Sequence, residues 1–334
     1  MKIDAGLMGS LDTVGDRAES MEAFGYDGLL TAELSHDPFF PLVLAAERTE
    51  RVELATGIAV AFSRNPMILA NIAWDLQEFS RGRFTLGLGS QIKPHIEKRF
   101  SMPWSKPAAR MEDMIDAIHA IWDCWRTGEK LDHRGDFYQH TLMTPMFSPG
   151  VSEHPDPKIT LAAVGPLMTR VAGRVADGFV SHSFQTADYL RDVTIPALEE
   201  GINDRGRDRS DVEISIPLFV VSGSTEEEVA QRKQGVRQQV AFYGSTPAYK
   251  GVLEHHGWDD LQPELNRMSK AGQWVEMADL IDDDILSHFA VIAEPSGVAP
   301  LIKERFGGIV DRVQFSADGD REIWGPVVEE IRAI

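Results

Sequence analysis

The chain has 334 residues, with 33 Lys and Arg against 52 Asp and Glu, so its formal net charge is −19 at neutral pH. This acidity argues against nucleic acid or an anionic membrane as the main partner, because their phosphates would be repelled. The single cysteine, Cys124, excludes an intrachain disulfide and any multi-cysteine metal site. No apolar run reaches the length of a membrane span. Asp4 lies where a signal peptide would have its apolar stretch, so we expect a cytoplasmic protein.

Short apolar runs alternate with amphipathic stretches along the chain, which is the pattern of strand-then-helix units. Eight strands are predicted, at residues 2–7, 27–32, 52–59, 83–89, 158–164, 178–182, 212–221 and 312–316. The helix after the third strand is predicted to begin with Asn65 as its N-cap and Pro66 at its first position. Eight parallel strands close most naturally into a (β/α)₈ TIM barrel, whereas an open doubly wound sheet more often has five or six.

The chain is longer than a minimal barrel of about 250 residues, so extra segments are expected. We predict one domain over residues 1–334, with insertions near 91–107, 128–157 and 245–284. The second of these contains HRGDFYQH, which is typical of a small β-hairpin, and the third is predicted to be helical. Connections of such length are usually lids or binding loops.

Several common catalytic motifs are absent from the sequence. Residues 87–92 begin like a dinucleotide fingerprint but lack its third glycine, and there is no Walker A loop, GxSxG elbow or HExxH helix. The pair His255 and His256 has no carboxylate or cysteine at metal-ligand spacing, and adjacent helical residues point apart. We therefore predict no metal site, and we interpret the pair as surface or interface. Cys124, in IWDCW, is interpreted as a packed side chain.

The sequence AAVGPLMTR after the fifth strand has the features of an anion site. Gly165 would let a ligand approach the backbone closely, and Pro166 would open the next helix. The free amides of Leu167, Met168 and Thr169 would then face outward at a positive helix end. The alternative is that the Gly-Pro pair is only a tight strand-to-helix turn.

The insertion after the fourth strand is basic although the chain is acidic. It carries Lys93, Lys98, Arg99, Lys106 and Arg110 against the single acid Glu97. In a barrel this loop lies over the mouth, where active sites form, so an anionic ligand is favoured over a merely solvated loop. Aromatic and apolar residues alternate with this basic run or lie on neighbouring loops: Phe39, Phe40, Phe62, Met102 and Trp104. A flat aromatic cofactor with a charged tail would suit both properties; the alternative is a core beneath the loops.

Five stretches of the chain resemble the bacterial luciferase-like flavin and deazaflavin oxidoreductases. They are GYDGLLTAE, TGIAV with the following RNP, SRGRFTLGLGSQ, RMEDMIDAIHAIWDCW and LAAVGPLMTRVAGRVADGFV, and together they span nearly the whole chain. The stretches FSMPWSKPAARMEDM, VAFYGSTPAYKGVLEHHGW and LIDDDILSHFAV are similar to the branch that uses the deazaflavin coenzyme F420. The resemblance implies a TIM-barrel oxidoreductase that moves a hydride between F420 and a small organic substrate. It also implies a homodimer.

The resemblance implies particular cofactor contacts as well. Gly57 and Ile58 match a non-proline cis peptide bulge that presses on the central ring, with Ala59 beside it, and Glu33 matches an acidic residue at the rim. The other cofactor-binding residues that the resemblance implies are Gly89, Ser90, Gln91, Gly165, Pro166, Leu167, Met168 and Thr169. For residues 165–169 it agrees with the independent reading of the turn as an anion site.

The sequence departs from the family at the expected catalytic positions. Leu34 stands where many relatives have a histidine, and the nearest one is His36. Gln91 stands where some deazaflavin dehydrogenases carry a proton-donating glutamate, and a glutamine cannot exchange a proton. Proton transfer would therefore pass to His36 or His182, unless these histidines are capping or core residues.

Two alternatives to an F420-dependent oxidoreductase remain open. The first is an FMN-dependent monooxygenase on the same barrel, with reduced flavin delivered by a reductase partner. The second is a non-catalytic protein that binds a flavin or deazaflavin. Hydride transfer is favoured with F420, because a 5-deazaflavin lacks the nitrogen that supports oxygen activation.

Overall fold

A computed structural model describes residues 1–317 and 321–334 of the chain. Within these residues the strands are β1 (Lys2–Gly6), β2 (Gly28–Thr31), β3 (Glu53–Thr56), β4 (Ala59–Val60), β5 (Phe84–Gly89), β6 (His133–Arg134), β7 (Gln139–His140), β8 (Lys158–Ala162), β9 (Gly178–Val180), β10 (Glu213–Pro217), β11 (Phe219–Val221), β12 (Ala290–Ile292) and β13 (Arg312–Gln314). Eight parallel strands form one sheet in the order β3-β2-β1-β13-β10-β9-β8-β5, and β3 pairs with β5 to close the barrel. The fold is the predicted TIM barrel.

Helices surround the barrel and extend its mouth. The α-helices in the described residues are α1 (Val14–Phe24), α2 (Phe39–Arg48), α3 (Pro66–Phe79), α4 (Pro107–Thr127), α5 (Pro166–Val175), α6 (Ala187–Tyr189), α7 (Ile195–Asp204), α8 (Glu226–Gly244), α9 (Lys250–His255), α10 (Leu261–Lys270), α11 (Asp283–Phe289), α12 (Pro295–Phe306) and α13 (Arg321–Arg332). Among the described residues, five 3₁₀ turns occur at Ala61–Ser63, Pro145–Phe147, Arg209–Asp211, Pro247–Tyr249 and Glu276–Leu280. Two π-helical turns occur at His95–Arg99 and Leu190–Thr194. No helix among these is long and apolar enough to cross a membrane.

Local signals set the ends of several helices. The side chain of Asn65 accepts a hydrogen bond from the Ile68 amide at 3.0 Å, and Pro66 is the first residue of α3, so the predicted N-cap is confirmed. Helix α1 ends at Gly25, whose φ of 115° is one that residues with a side chain rarely adopt. These signals act within a few residues, which is why the sequence alone could predict them.

All eight predicted barrel strands are present, but two of them are interrupted. The third ends at Thr56 and resumes as the short β4 after Gly57 and Ile58. The seventh divides into β10 and β11 on either side of Leu218, whose amide donates to the Gln314 carbonyl at 2.8 Å. Beyond Leu218 the chain leaves the barrel, and β11 pairs in parallel with β12, a strand that the sequence analysis missed.

Two hydrophobic clusters organise the interior. The larger one lies between the barrel and its outer helices and includes the buried Cys124, which confirms its interpretation as a packed side chain. The smaller one lies beneath the helices between β11 and β12 and contains Phe184, Phe219 and Phe289. The predicted hairpin forms from β6 and β7 and is held on α4 by Asp113, which accepts hydrogen bonds from the amides of Phe137 and Tyr138.

A buried ion cluster occupies the barrel interior near the N-terminal ends of its strands. The Arg312 guanidinium forms two hydrogen bonds to Asp4, at 2.6 and 2.8 Å, and also contacts Glu53 at 2.6 Å and Glu213 at 3.2 Å. The acidic neighbours raise the pKa of Arg312, so this cation persists despite its burial. A Cβ on Gly28 would lie 2.4 Å from an Asp4 oxygen, which is why that strand position is a glycine.

Candidate functional site

The ends of β3 and β5 form a tightly packed ledge at the barrel mouth. The peptide bond between Gly57 and Ile58 is cis, as the resemblance implied. A Cβ on Gly89 would lie 2.8 Å from the Ile58 side chain, and one on Gly87 would lie 1.7 Å from the Thr56 carbonyl oxygen. The glycines of β5 therefore let the strand pass directly against this bulge, and they place the Ile58 side chain against the end of β5.

Glu33 lies beneath the bulge and links it to the end of β2. Its carboxylate accepts hydrogen bonds from the Val60 amide at 2.7 Å and from the Arg64 guanidinium at 2.6 Å, and its own amide donates to the Ile58 carbonyl at 3.1 Å. Arg64 also pairs with Asp37 at 3.1 Å. Since the Glu33 side chain is only 7% exposed, it is used mainly to hold the bulge. The resemblance implied cofactor contact at this position.

The turn at residues 165–169 is open to solvent. Gly165 has a φ of 78°, and a Cβ placed on it would meet nothing within 4 Å. Pro166 opens α5, and the first helical hydrogen bond runs from the Thr169 amide to the Gly165 carbonyl at 3.2 Å. The amides of Leu167 and Met168 precede that bond, at the positive end of the helix. Leu167 is 70% exposed, whereas the side chains of Met168 and Thr169 are buried.

A narrow cavity of about 30 Å³ adjoins this turn. Its lining includes Gly165, Pro166 and Thr169 from the turn, His182 after β9, and Tyr249 from the inserted segment. In the barrel order only β5 separates the bulge at the end of β3 from β8, the strand that leads into the turn. The bulge and the turn therefore occupy one side of the barrel mouth.

His182 is enclosed by aromatic rings. It stacks on Tyr249 with ring centroids 4.7 Å apart and meets Tyr243 edge-on at the same distance. Its Nδ1 accepts a hydrogen bond from the Phe184 amide at 2.9 Å, so in the neutral ring Nε2 carries the hydrogen. Burial lowers the pKa of His182 to about 4. The imidazole is thus neutral at pH 7, where it can donate a hydrogen bond but is a poor proton donor.

The other predicted catalytic residues lie at the rim. His36 is exposed on the segment after β2, and Gln91, with a φ of 58°, bends the chain after β5. The Gln91 side-chain oxygen accepts a hydrogen bond from the Ile92 amide at 3.0 Å, and the Ser90 hydroxyl donates to the Gln91 carbonyl at 3.1 Å. Gln91 and Ser90 thus shape the exit from β5, and His36 is the predicted histidine that faces solvent.

The basic insertion is only partly available to a ligand. The Arg110 guanidinium is buried, with hydrogen bonds to the Tyr138 hydroxyl at 2.9 Å and to the Pro103 carbonyl at 2.6 Å. Lys93 lies 3.8 Å from Glu97, and Arg99 donates to the Leu34 carbonyl, which ties the insertion to the segment after β2. The expectation that Arg110 belongs to an anion-binding run is wrong, because its charge is used inside the fold.

Sequence reasoning missed two side chains of this region. Tyr243 and Tyr249 enclose His182 although they lie about sixty residues away along the chain. The only sequence signal was for Tyr249, which lies in the insertion at 245–284 that was expected to supply binding loops. The position of Arg64 beyond the end of the third strand places it at the barrel mouth, and the structure shows that it pairs with Glu33.

The histidine pair at residues 255 and 256 also differs from expectation. His255 is exposed and lies 3.3 Å from an Asp192 oxygen, while His256 is half-buried beside His288 and Asp188. His256 is therefore not a plain surface residue, and a carboxylate lies near it in space although none stands at metal-ligand spacing in the sequence. The interpretation as a surface or interface pair stays a prediction. Spacing along the sequence could not reveal neighbours that come from two other helices.

Comparison with known proteins agrees with this architecture. A family model described as luciferase-like monooxygenase matches residues 3–312. A Mycobacterium tuberculosis protein described as uncharacterised is 51% identical over 313 residues, which are 94% of this chain and 92% of that protein. An F420-dependent glucose-6-phosphate dehydrogenase of Intrasporangium calvum is 27% identical over 277 residues, 79% of this chain and 80% of that enzyme. The structure of coenzyme F420-dependent tetrahydromethanopterin reductase from Methanopyrus kandleri shares the fold, with a TM-score of 0.77, 20% identity, and coverage of 99% of this chain and 96% of that one.

Proposed function

The chain belongs to the luciferase-like monooxygenase family, and we propose that within it this protein is an oxidoreductase that transfers a hydride between coenzyme F420 and a small organic substrate. The observation that carries the proposal is the open turn at Gly165, which presents free backbone amides beside the cavity. The similarity to the Intrasporangium calvum enzyme supports F420 as the cofactor.

The residues of the site fit a flat ring with an anionic tail. Since nothing lies within 4 Å of a Cβ on Gly165, an anionic group can reach the backbone there, and the amides of Leu167 and Met168 provide donors at a positive helix end. On the same side of the mouth, Ile58 on the cis bulge offers an apolar surface to the ring. The phosphate would lie on the turn and the ring against Ile58.

When bound, F420 would supply the hydride chemistry, and the protein would supply position and protons. The bulge, held by Glu33 and Arg64, would support one face of the ring. His182, neutral at pH 7, would donate a hydrogen bond through Nε2, because its Nδ1 already accepts one from the Phe184 amide. The proton for the substrate would come from His36, the exposed histidine at the rim, or from an ordered water.

Two other functions are alternatives to an F420-dependent oxidoreductase. The family description names monooxygenases, which favours an FMN-dependent monooxygenase as the second candidate. A non-catalytic protein that binds a flavin or deazaflavin is the third, because Gln91 cannot serve as a proton donor. Measured turnover would itself exclude a binder. In an active enzyme His36→Leu then tests the proton source: F420 binding should persist while turnover is lost, and unchanged turnover would favour the ordered water.

The cofactor is tested by fluorescence titration of the full-length protein with F420 and FMN in parallel. The proposal requires saturable F420 binding without FMN binding, and the reverse result would overturn the F420 assignment.

Two variants that differ in charge but hardly in size then test whether the turn binds the anionic tail of F420. Leu167→Glu and Leu167→Gln replace a side chain that is 70% exposed, so neither should disturb packing. We expect the glutamate to weaken F420 binding about tenfold or more by repelling the phosphate, and the glutamine to change it little. Equal affinities for the two variants would place the anionic tail elsewhere.

A further inference from the structure

Three side chains with metal-ligating atoms converge outside the candidate cofactor site. Asp188 is on α6, His256 follows α9, and His288 is on α11. One possible ligand atom from each lies within 4.8 Å of the others. Asp188 is exposed and both histidines are half-buried, so the cluster is accessible from solvent and still held by the fold.

Neighbouring groups fix the orientation of His256. Its ring stacks on Trp258 with centroids 4.6 Å apart and planes 17° from parallel, and its Nε2 lies 2.8 Å from the Thr186 hydroxyl oxygen. The His288 ring is 4.7 Å away from it, centroid to centroid. Thr186 is buried and also caps α6 by accepting the Tyr189 amide at 3.2 Å. An imidazole oriented by such partners is typical of a preorganised ligand.

The donor set suits one class of ion. Two imidazole nitrogens and one carboxylate oxygen are ligands of borderline transition metals such as Zn²⁺, whereas Mg²⁺ and Ca²⁺ prefer oxygen alone. A tetrahedral zinc site brings its ligand atoms to roughly 3.3 Å from one another, so the cluster would close slightly on binding. Arg191 donates a hydrogen bond to Oδ1 of Asp188 at 3.1 Å, so this exposed carboxylate has a partner on its own segment.

We propose that Asp188, His256 and His288 bind one divalent transition-metal ion of the Zn²⁺ type, with water at the remaining position. Such an ion would join the segment after β9 to the inserted helices. The stretch from Tyr249 to His256 includes α9, so the ion would also stabilise the chain that covers His182. The inference is independent of which cofactor the barrel binds.

The test uses tag-free, full-length protein that has been treated with EDTA and dialysed. We expect calorimetric titration with ZnCl₂ to show one site, and saturating Zn²⁺ to raise the thermal midpoint. CoCl₂ should produce a visible absorption band and quench the fluorescence of Trp258, and Trp258→Phe should remove that part of the quenching. Absence of stoichiometric Zn²⁺ binding would overturn the proposal.

Matched histidine variants locate the ion. His288→Gln and His256→Gln should each lose more Zn²⁺ affinity than the roughly 10–100-fold that loss of an outer partner costs. His95→Gln, the same change at an exposed histidine on another segment, should retain the wild-type affinity. Asp188→Asn provides a third ligand variant at an exposed position if His256→Gln fails to fold. Equal affinity in His288→Gln and His95→Gln would show that the ion binds elsewhere and would refute the assignment.

Discussion

At the scale of single residues, the environment of His182 decides what its imidazole can do. Tyr243 and Tyr249 pack against the ring and exclude the water that would solvate an imidazolium, so burial lowers its pKa to about 4. A histidine is the side chain that a sequence offers first for acid–base chemistry near pH 7. In this fold His182 stays neutral near pH 7 and can act as a hydrogen-bond donor, but it is poorly suited to acid–base chemistry there.

The lowered pKa of His182 predicts a loss of stability in acid. Between about pH 6.5 and pH 4 the unfolded chain binds a proton at this residue and the folded chain does not, so the free energy of unfolding falls as the pH falls through that window. The contribution is about 3 kcal/mol. His182→Gln should remove it, which urea unfolding at about pH 7 and about pH 4.5 will measure.

The control for this experiment is Phe184→Leu, which changes packing against Tyr249 and Phe289 without removing a titrating group. It should lower stability at both pH values and keep the wild-type difference between them. If His182→Gln keeps that difference as well, the acid loss arises at other residues.

At the scale of elements, the junction of β2, β3 and β4 depends on one carboxylate. Glu33 accepts from the Val60 amide and from Arg64, and thereby joins the end of β2 to the chain beyond the Gly57–Ile58 peptide. Asp37 shares Arg64 but is more exposed, with 36% of its side chain accessible against 7% for Glu33. The two acids make similar contacts and differ mainly in burial.

Burial predicts unequal effects of neutralising these acids. Glu33→Gln leaves the half-buried Arg64 with a weakened partner inside the fold and should lower the free energy of unfolding by about 2–3 kcal/mol. Asp37→Asn should cost about 1 kcal/mol or less, because water can replace its contact. Urea unfolding at neutral pH measures both. Equal losses would mean that Glu33 does not hold the junction.

At the scale of the whole molecule, Arg312 connects strands that are distant in the sequence. It lies on β13 and contacts carboxylates on β1, β3 and β10, so one guanidinium joins four of the eight barrel strands, including the first and the last. Lys2 supports the same cluster, with its ammonium 2.7 Å from Glu53 and 3.2 Å from Glu213. The cluster replaces apolar packing at this end of the barrel interior.

Removal of Arg312 alone should destabilise the fold more than removal of both Arg312 and its buried partner Asp4. Arg312→Met leaves Asp4 buried without its partner and should cost about 3–5 kcal/mol. The double variant Arg312→Met, Asp4→Leu should lose less than the single one, because the most deeply buried carboxylate is gone and Lys2 still contacts the more exposed Glu53 and Glu213. Arg209→Met, which breaks a half-exposed pair with Asp311, is the control and should cost about 1 kcal/mol or less. A double variant that is less stable than Arg312→Met would contradict this account.

The features that the sequence predicted correctly are local ones. All eight barrel strands, the Asn65 cap of α3, the β6–β7 hairpin and the exposed turn at Gly165 follow from patterns within a few residues of each other. The Gly57–Ile58 cis bond came from resemblance to a family instead. The family resemblance was readable because its motifs are contiguous stretches of this kind.

The sequence by itself determined the barrel and the position of the open turn at Gly165, because periodicity, capping and turn chemistry act between near neighbours in the chain. Only the tertiary structure decided the state of His182, the partner of Glu33, the burial of Arg110 and the neighbours of His256. Each of these depends on contacts with segments elsewhere in the chain. Burial and electrostatic environment arise from such contacts, and spacing along a sequence does not encode them.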